Sequence, residues 1–325
     1  MGLFSELKLA VPWGHIAAKA WGSPKGRPVL CLHGWLDNAN SFDRLIPLLP
    51  RDLYYVAMDF RGHGLSSHFG PGLCCHFQNF VSETRRVVEA LKWKRFSILG
   101  HSFGGFVGGM FSCVFPEMVD ELIMLDSLPF ALDTNEVDNL LTYKRKAIEH
   151  TLQLDAAAKK PPRVLSLEET LQRLLKANTQ LGEECGKILL QRGTTRVATG
   201  VVMNRDRRMD LLEHCMEFVS RERAVLFIKK LQARVLLIKA LQGYYDVRRE
   251  NDNKKEPVVF MVDTLKSVLK ERFQYVEVPG NHYVHMQQPN RVAGVVSSFL
   301  ESEDRLQAQL EPLASATQTP SSQGP

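Results

Sequence analysis

In the first 126 residues, short apolar runs alternate with longer segments whose apolar residues recur at helical spacing. Leu7–Val11 and His15–Trp21, split by Pro12-Trp13-Gly14, have the pattern of an opening hairpin. Pro28–Leu32, Tyr54–Asp59, Phe96–Gly100 and Val119–Asp126 are brief apolar runs of the kind that form buried strands. Between them, Phe77–Leu91 places Phe77, Phe80, Val81, Thr84, Val87, Val88 and Leu91 at helical spacing, and Gly104–Phe115 also reads as a helix. Strands separated by helical crossovers predict an α/β fold with a mostly parallel central sheet and helices on both faces.

From about Pro129 to Leu231 the pattern changes to helices, at Leu140–Leu154, Leu165–Leu175 and Gly182–Gln191, with no strand signal between them. The alternation then resumes with a strand at Val235–Ala240, a helix at Val258–Lys270, a strand at Phe273–Val278 and a closing helix at Asn290–Leu300. A helical cap inserted after the sixth strand is therefore expected. The expected organisation is a core at 1–128, a cap at 129–231, the rest of the core at 232–302, and a disordered tail at 303–325 rich in Ala, Ser, Thr, Gln and Pro. A chain of 325 residues can bury such a core without staples.

Gly100-His101-Ser102-Phe103-Gly104 sits between a strand and a helix, where the pattern Gly-x-Ser-x-Gly has a mechanical meaning. A Ser at the tip of so sharp a turn takes strained backbone angles, and only small residues fit two positions away, hence Gly100 and Gly104. The turn aims the hydroxyl out at the N-terminus of the next helix, where backbone N–H groups favour developing negative charge. Ser102 is thus the expected nucleophile.

With this turn, His33-Gly34-Trp35-Leu36-Asp37-Asn38, Asp59-x-Arg61-Gly62-x-Gly64-x-Ser66 and Gly280-Asn281-His282-Tyr283-Val284-His285 make the chain similar to the α/β-hydrolase superfamily from Leu7 to about Leu300. Within it the wording most resembles the serine hydrolase-like proteins of mammals. The resemblance implies an α/β-hydrolase fold and a Ser nucleophile and brings no settled substrate; no cofactor is expected. It places the general base on the loop after the last strand, at His282, with His285 as the alternative; His101 is expected to pack beside the nucleophile. The orienting acid falls between Ser102 and His282 in chain order. Asp246, six residues past Ala240, fits that slot, and Asp126 at the end of the sixth strand is the alternative acid. The oxyanion hole is expected from the backbone N–H groups of Trp35 and Phe103, with the Trp35 indole able to wall the acyl pocket.

The leading expectation is a serine hydrolase cleaving a small or medium carboxylic ester, or a thioester, through Ser102, His282 and Asp246. A carbon–carbon bond hydrolase of the same fold and a non-catalytic binding protein are the alternatives. Arg61–Ser66 lacks the lysine of a phosphate loop and reads as a structural turn, and Asn204–Arg208 reads as a solvated helix end, with a grip on an anionic substrate group as the alternative. Cys74-Cys75-His76 has no second half at ligand spacing, so no metal is expected.

The basic residues, 41 against 36 acidic, are scattered, and no nucleic-acid partner is expected. No run approaches the ~20 apolar residues of a membrane span. The expected partner is a small acyl substrate, and the sequence sets no oligomeric state. Six cysteines without a framework read as reduced thiols, and Met1–Glu6 lacks the regions of a secretion signal. The cytoplasm is the expected compartment; the chain lacks a terminal Ser-Lys-Leu, and peroxisomal or vesicle association is left open.

Overall fold

The structure, a computed structural model, describes residues 3–70, 75–133, 135–157, 161–209, 212–248 and 254–302. Strands β1 (Ser5–Val11) and β2 (Gly14–Trp21) form the expected antiparallel hairpin. Strands β3 (Pro28–Leu32), β4 (Tyr54–Met58), β5 (Phe96–His101) and β6 (Val119–Leu125) follow. Much later come β11 (Arg234–Gln242) and β12 (Phe273–Asn281). They form one eight-stranded sheet in the order β1-β2-β4-β3-β5-β6-β11-β12, in which β4, β3, β5, β6, β11 and β12 run parallel.

Successive side chains of a strand point to opposite faces, and the apolar runs therefore feed two cores. Leu30, Leu32, Val56, Met58 and Ile98 face one layer, with helices α1 (Phe77–Ala90), α2 (Phe103–Val114) and α8 (Glu256–Leu269) packed over it. Val29, Cys31, Tyr55, Ala57 and Leu99 face the other, under Val292, Val296 and Phe299 of the helix at 290–302. Burying both faces is why these strands are near-continuously apolar.

Between β6 and β11 lie β7 (Ala131–Leu132), α3 (Glu136–Ala157), α4 (Leu167–Ala177) and α5 (Glu183–Gly193). After them come β8 (Thr194–Val197), β9 (Gly200–Met203), α6 (Leu212–Cys215), β10 (Phe218–Val219) and α7 (Arg221–Ile228). The sequence reading of this stretch as strand-free is corrected by the β8–β9 hairpin and the short β7–β10 pair. Three of the four β8 residues are exposed, so no apolar alternation marked the strand.

A second correction concerns the thiols: Cys75, ahead of α1, is joined in a disulfide to Cys215 at the end of α6. Cys31, Cys113 and Cys185 are free thiols. The tail at 303–325 lies outside the described residues. Among the described residues no helix is long and apolar enough to cross a membrane.

Candidate active site

Ser102 occupies the corner between β5 and α2 with φ 51° and ψ −117°, a left-handed conformation that non-glycine residues rarely adopt. The corner closes this tightly because its flanking glycines touch backbone. A Cβ on Gly104 would lie 2.0 Å from the Leu32 carbonyl oxygen, and one on Gly100 would lie 2.5 Å from that of Gly104. The corner is pinned from β6 as well: Ser102 N–H donates to Leu125 O at 3.2 Å, and Ser127 Oγ donates to Ser102 O at 2.6 Å.

His282 lies just beyond β12, with 6% of its surface exposed. Its Nδ1–H donates to Asp126 Oδ2 at 2.6 Å, and its backbone N–H donates to Gln180 Oε1 at 2.7 Å. Asp126 follows β6 directly and is itself held with φ 43°. Its other oxygen, Oδ1, accepts from Lys239 Nζ at 2.5 Å and from Ala240 N–H at 3.0 Å. Burial alone would raise the Asp126 carboxyl. The bond and charge of His282 and those of Lys239 outweigh it, and hold the group below the ordinary carboxylate value.

The sequence expectation that Asp246 orients His282 is not met. Asp246 Oδ1 accepts from Arg248 N–H at 2.7 Å and from its Nε at 3.2 Å, and Arg248 also reaches Asp133 and Tyr143. The place beside the imidazole is filled by Asp126, whose Oδ2 would lie 2.1 Å from a Cβ on Gly243. A bare glycine after β11 thus makes room for an acid that arrives from β6. Lys239 carried the signal that could have found this pair. A lysine inside the apolar run of β11 must be buried, and a buried ammonium needs a carboxylate partner.

The other candidates are placed as follows. His285 is fully buried and its Nε2 bonds Ser41 Oγ at 2.9 Å. His101 Nε2–H donates to the His282 carbonyl oxygen at 2.8 Å. Phe103 is the first residue of α2, where a helix leaves the backbone N–H unpaired. Trp35 lies in a turn closed by Asp37 N–H on Gly34 O at 3.1 Å. Its indole packs edge-on against Phe103, His63 and Phe80 rather than walling the cavity at Ser102. The turn at Arg61–Ser66 spends its groups internally: Asp59 accepts from Leu65 N–H, Ala39 N–H and Arg192 Nε, at 2.8–2.9 Å. Arg207 and Arg208 bond the carbonyls of Pro161, Phe69 and Gly70, so that cluster is tied down rather than solvated.

Ser102 and His282 line one cavity, a small one of about 70 Å³. Its walls are largely Phe106, Leu128, Phe130, Leu132, Phe218 and Tyr244, and its charged residues Asp126, Lys239 and Asp246 are already paired with protein partners. Among the described residues no cluster suited to a metal ion occurs.

A strained serine corner between strand and helix, a buried histidine after the last strand and an eight-stranded mostly parallel sheet define a class. The chain matches the family described as "alpha/beta hydrolase fold" over residues 27–289, and it belongs to that family. It is 66% identical to "Serine hydrolase-like protein 2" of Homo sapiens over 309 residues, covering 95% of this chain and 98% of that one. It is also 66% identical to "Serine hydrolase-like protein" of Mus musculus over 306 residues, 94% and 98% of the two chains. A hypothetical protein of Pseudomonas aeruginosa, known from its crystal structure, superposes with TM-score 0.74 at 30% identity, covering 91% of this chain and 99% of that one. Fold and relatives together support a hydrolase.

Proposed function

We propose that the protein is a serine hydrolase that transfers the acyl group of an uncharged carboxylic ester or thioester to Ser102 and then to water. The reading rests above all on a strained serine sharing a cavity with a histidine whose Nδ1–H is held by a buried carboxylate. With Nδ1 committed to Asp126, the lone pair of His282 is on Nε2, the nitrogen that takes the Ser102 proton as Oγ attacks the carbonyl. Asp126 keeps that tautomer and stabilises the imidazolium that forms. The backbone N–H groups of Phe103 and Trp35 receive the oxyanion, and the imidazolium returns its proton to the leaving alkoxide or thiolate. Water, deprotonated by the same nitrogen, releases the acid.

The apolar aromatic wall and the internally paired charges favour an apolar acyl group over a charged one. A fluorophosphonate probe tests the reading: the wild type is labelled at neutral pH and Ser102→Ala is not. An unlabelled wild type, inactive on aryl esters of graded acyl length, would overturn it.

A further inference from the structure

Three loops meet at His101, which is fully buried. Because its Nε2–H donates to the His282 carbonyl, its Nδ1 is a bare lone pair. The atom facing it is Asp37 Oδ2, 3.7 Å away, and both atoms are buried without a hydrogen-bond partner. Gly34 makes the approach possible, since a Cβ there would lie 2.8 Å from Oδ2 and 2.9 Å from Nδ1. An ionised carboxylate opposite a lone pair leaves two acceptors facing each other in a dry interior, an arrangement that is costly. One proton between them satisfies both atoms, and a small side-chain rotation closes the bond.

We propose that Asp37 and His101 hold one proton between them and act as a positioning pair that locks the loops bearing Trp35, Ser102 and His282 to one another. Asp37 lies two residues past Trp35, His101 immediately precedes Ser102, and the His101 Nε2–H grips the backbone of His282 itself. The link to catalysis rests on the proposed triad; the shared proton does not.

Among the described residues, the groups packed on the pair, the His282 ring 4.7 Å from that of His101 included, supply no fixed charge to replace that proton. Tyr283, from the histidine loop, brings its hydroxyl to 3.4 Å from Asp37 Oδ1 and accepts from Asn178 Nδ2. The His285 ring lies tilted 4.0 Å from that of His101, and burial pushes His285 down to about 3, so it is neutral. His33, also buried, is lowered and neutral, with Nδ1–H on Gly34 O and Nε2 accepting from Phe60 N–H. From α5 comes the thiol of Cys185, which burial raises, while nearby Arg44 bonds Glu184 at 3.2 Å. Burial accordingly raises the Asp37 carboxyl to about 7 and lowers His101, which sets the proton on Asp37 below neutral pH and lets it go as pH rises past 7.

The test compares wild type with Asp37→Asn and Asp37→Leu. The Asn amide donates to Nδ1 at every pH, whereas Leu donates nothing. A carboxyl raised in the folded state stabilises the fold below its unfolded value near 4, and that contribution is lost as pH rises towards 7. The melting temperature of wild type should therefore fall relative to Asp37→Asn by about 3 °C or more between pH 4 and 8. The fluorophosphonate labelling rate should drop at least tenfold in Asp37→Leu and be restored at least tenfold by Asp37→Asn. Parallel melting curves for wild type and Asp37→Asn would overturn the shared proton, and so would an Asn variant that labels as slowly as Leu. Should Asp37→Leu not fold, the melting comparison decides alone. A wild type that never labels would remove the proposed function while leaving that comparison intact.

Discussion

Replacing Asp126 by Asn tests the triad through hydrogen-bond direction. Oδ1 of Asp126 faces two donors, Lys239 Nζ and Ala240 N–H, and Oδ2 faces the Nδ1–H of His282. An amide has one acceptor end and one donor end, so the side chain of the Asp126→Asn variant must choose which side to satisfy. Turning its NH₂ towards Lys239 and Ala240 would forfeit a charge-assisted bond and a backbone bond, about 2–4 kcal/mol together. The oxygen therefore stays with those two donors and the NH₂ faces His282. The imidazole answers by accepting at Nδ1, which moves its proton to Nε2, the nitrogen that has to receive one from Ser102. A wrong tautomer of this kind lowers kcat by about 10⁴ in a Ser-His-Asp protease. At about 1.36 kcal/mol per decade, that adds about 5.5 kcal/mol to the barrier. The assay is the fluorophosphonate labelling rate together with kcat/KM on an aryl ester, with melting temperature as a folding control. Asp246→Asn, changed on the acid bound by Arg248, should lose less than tenfold. A folded Asp126→Asn within tenfold of wild type, or Asp246→Asn falling by 10³ or more, would refute the reasoning.

Gly243→Ala forces a Cβ to 2.1 Å from Asp126 Oδ2; labelling should slow more than tenfold, with about 1–3 kcal/mol of stability lost in denaturant melts. Lys239→Met removes a partner that lowers the Asp126 carboxyl, so its pKa rises and the acid limb of the kcat/KM profile should move to higher pH. An unmoved limb in a folded Lys239→Met protein would count against the clamp. Gly104→Val sets side-chain carbon against the Leu32 carbonyl and should abolish soluble folded protein, as circular dichroism would report.

The sheet was legible because strands buried on both faces must be apolar nearly throughout, as Pro28–Leu32 and Tyr54–Met58 are. Ser102 was legible because its corner has a local steric signature in Gly100 and Gly104. The carboxylate that bonds His282 was not, since Asp126 and Asp246 both lie between Ser102 and His282 in chain order, and only the packing of β6 against β11 separates them. Gln180, which fixes the His282 backbone, left no sequence signal, because a helix-connecting glutamine looks like any solvated residue. The pairing of Cys75 with Cys215 was hidden for a similar reason: 140 residues separate them.

The hold of the inserted segment on the core is uneven. Asn38 and Asn40 donate to the carbonyls of Leu189 and Ile188, Arg192 is buried on Asp59, and Gln180 accepts from Asn281 and His282. The stretch from 178 to 192 is thus bolted to the backbone that carries Asn38, Asn281 and His282, and swinging it outward would pull His282 from its place. Leu212, Phe218, Tyr245 and Val247 also line the cavity, and Arg248 beside them bonds Asp246, Asp133 and Tyr143. Substitutions along 178–192 would therefore register at Asn38, Asn40 and His282, on the far side of the same hydrogen bonds.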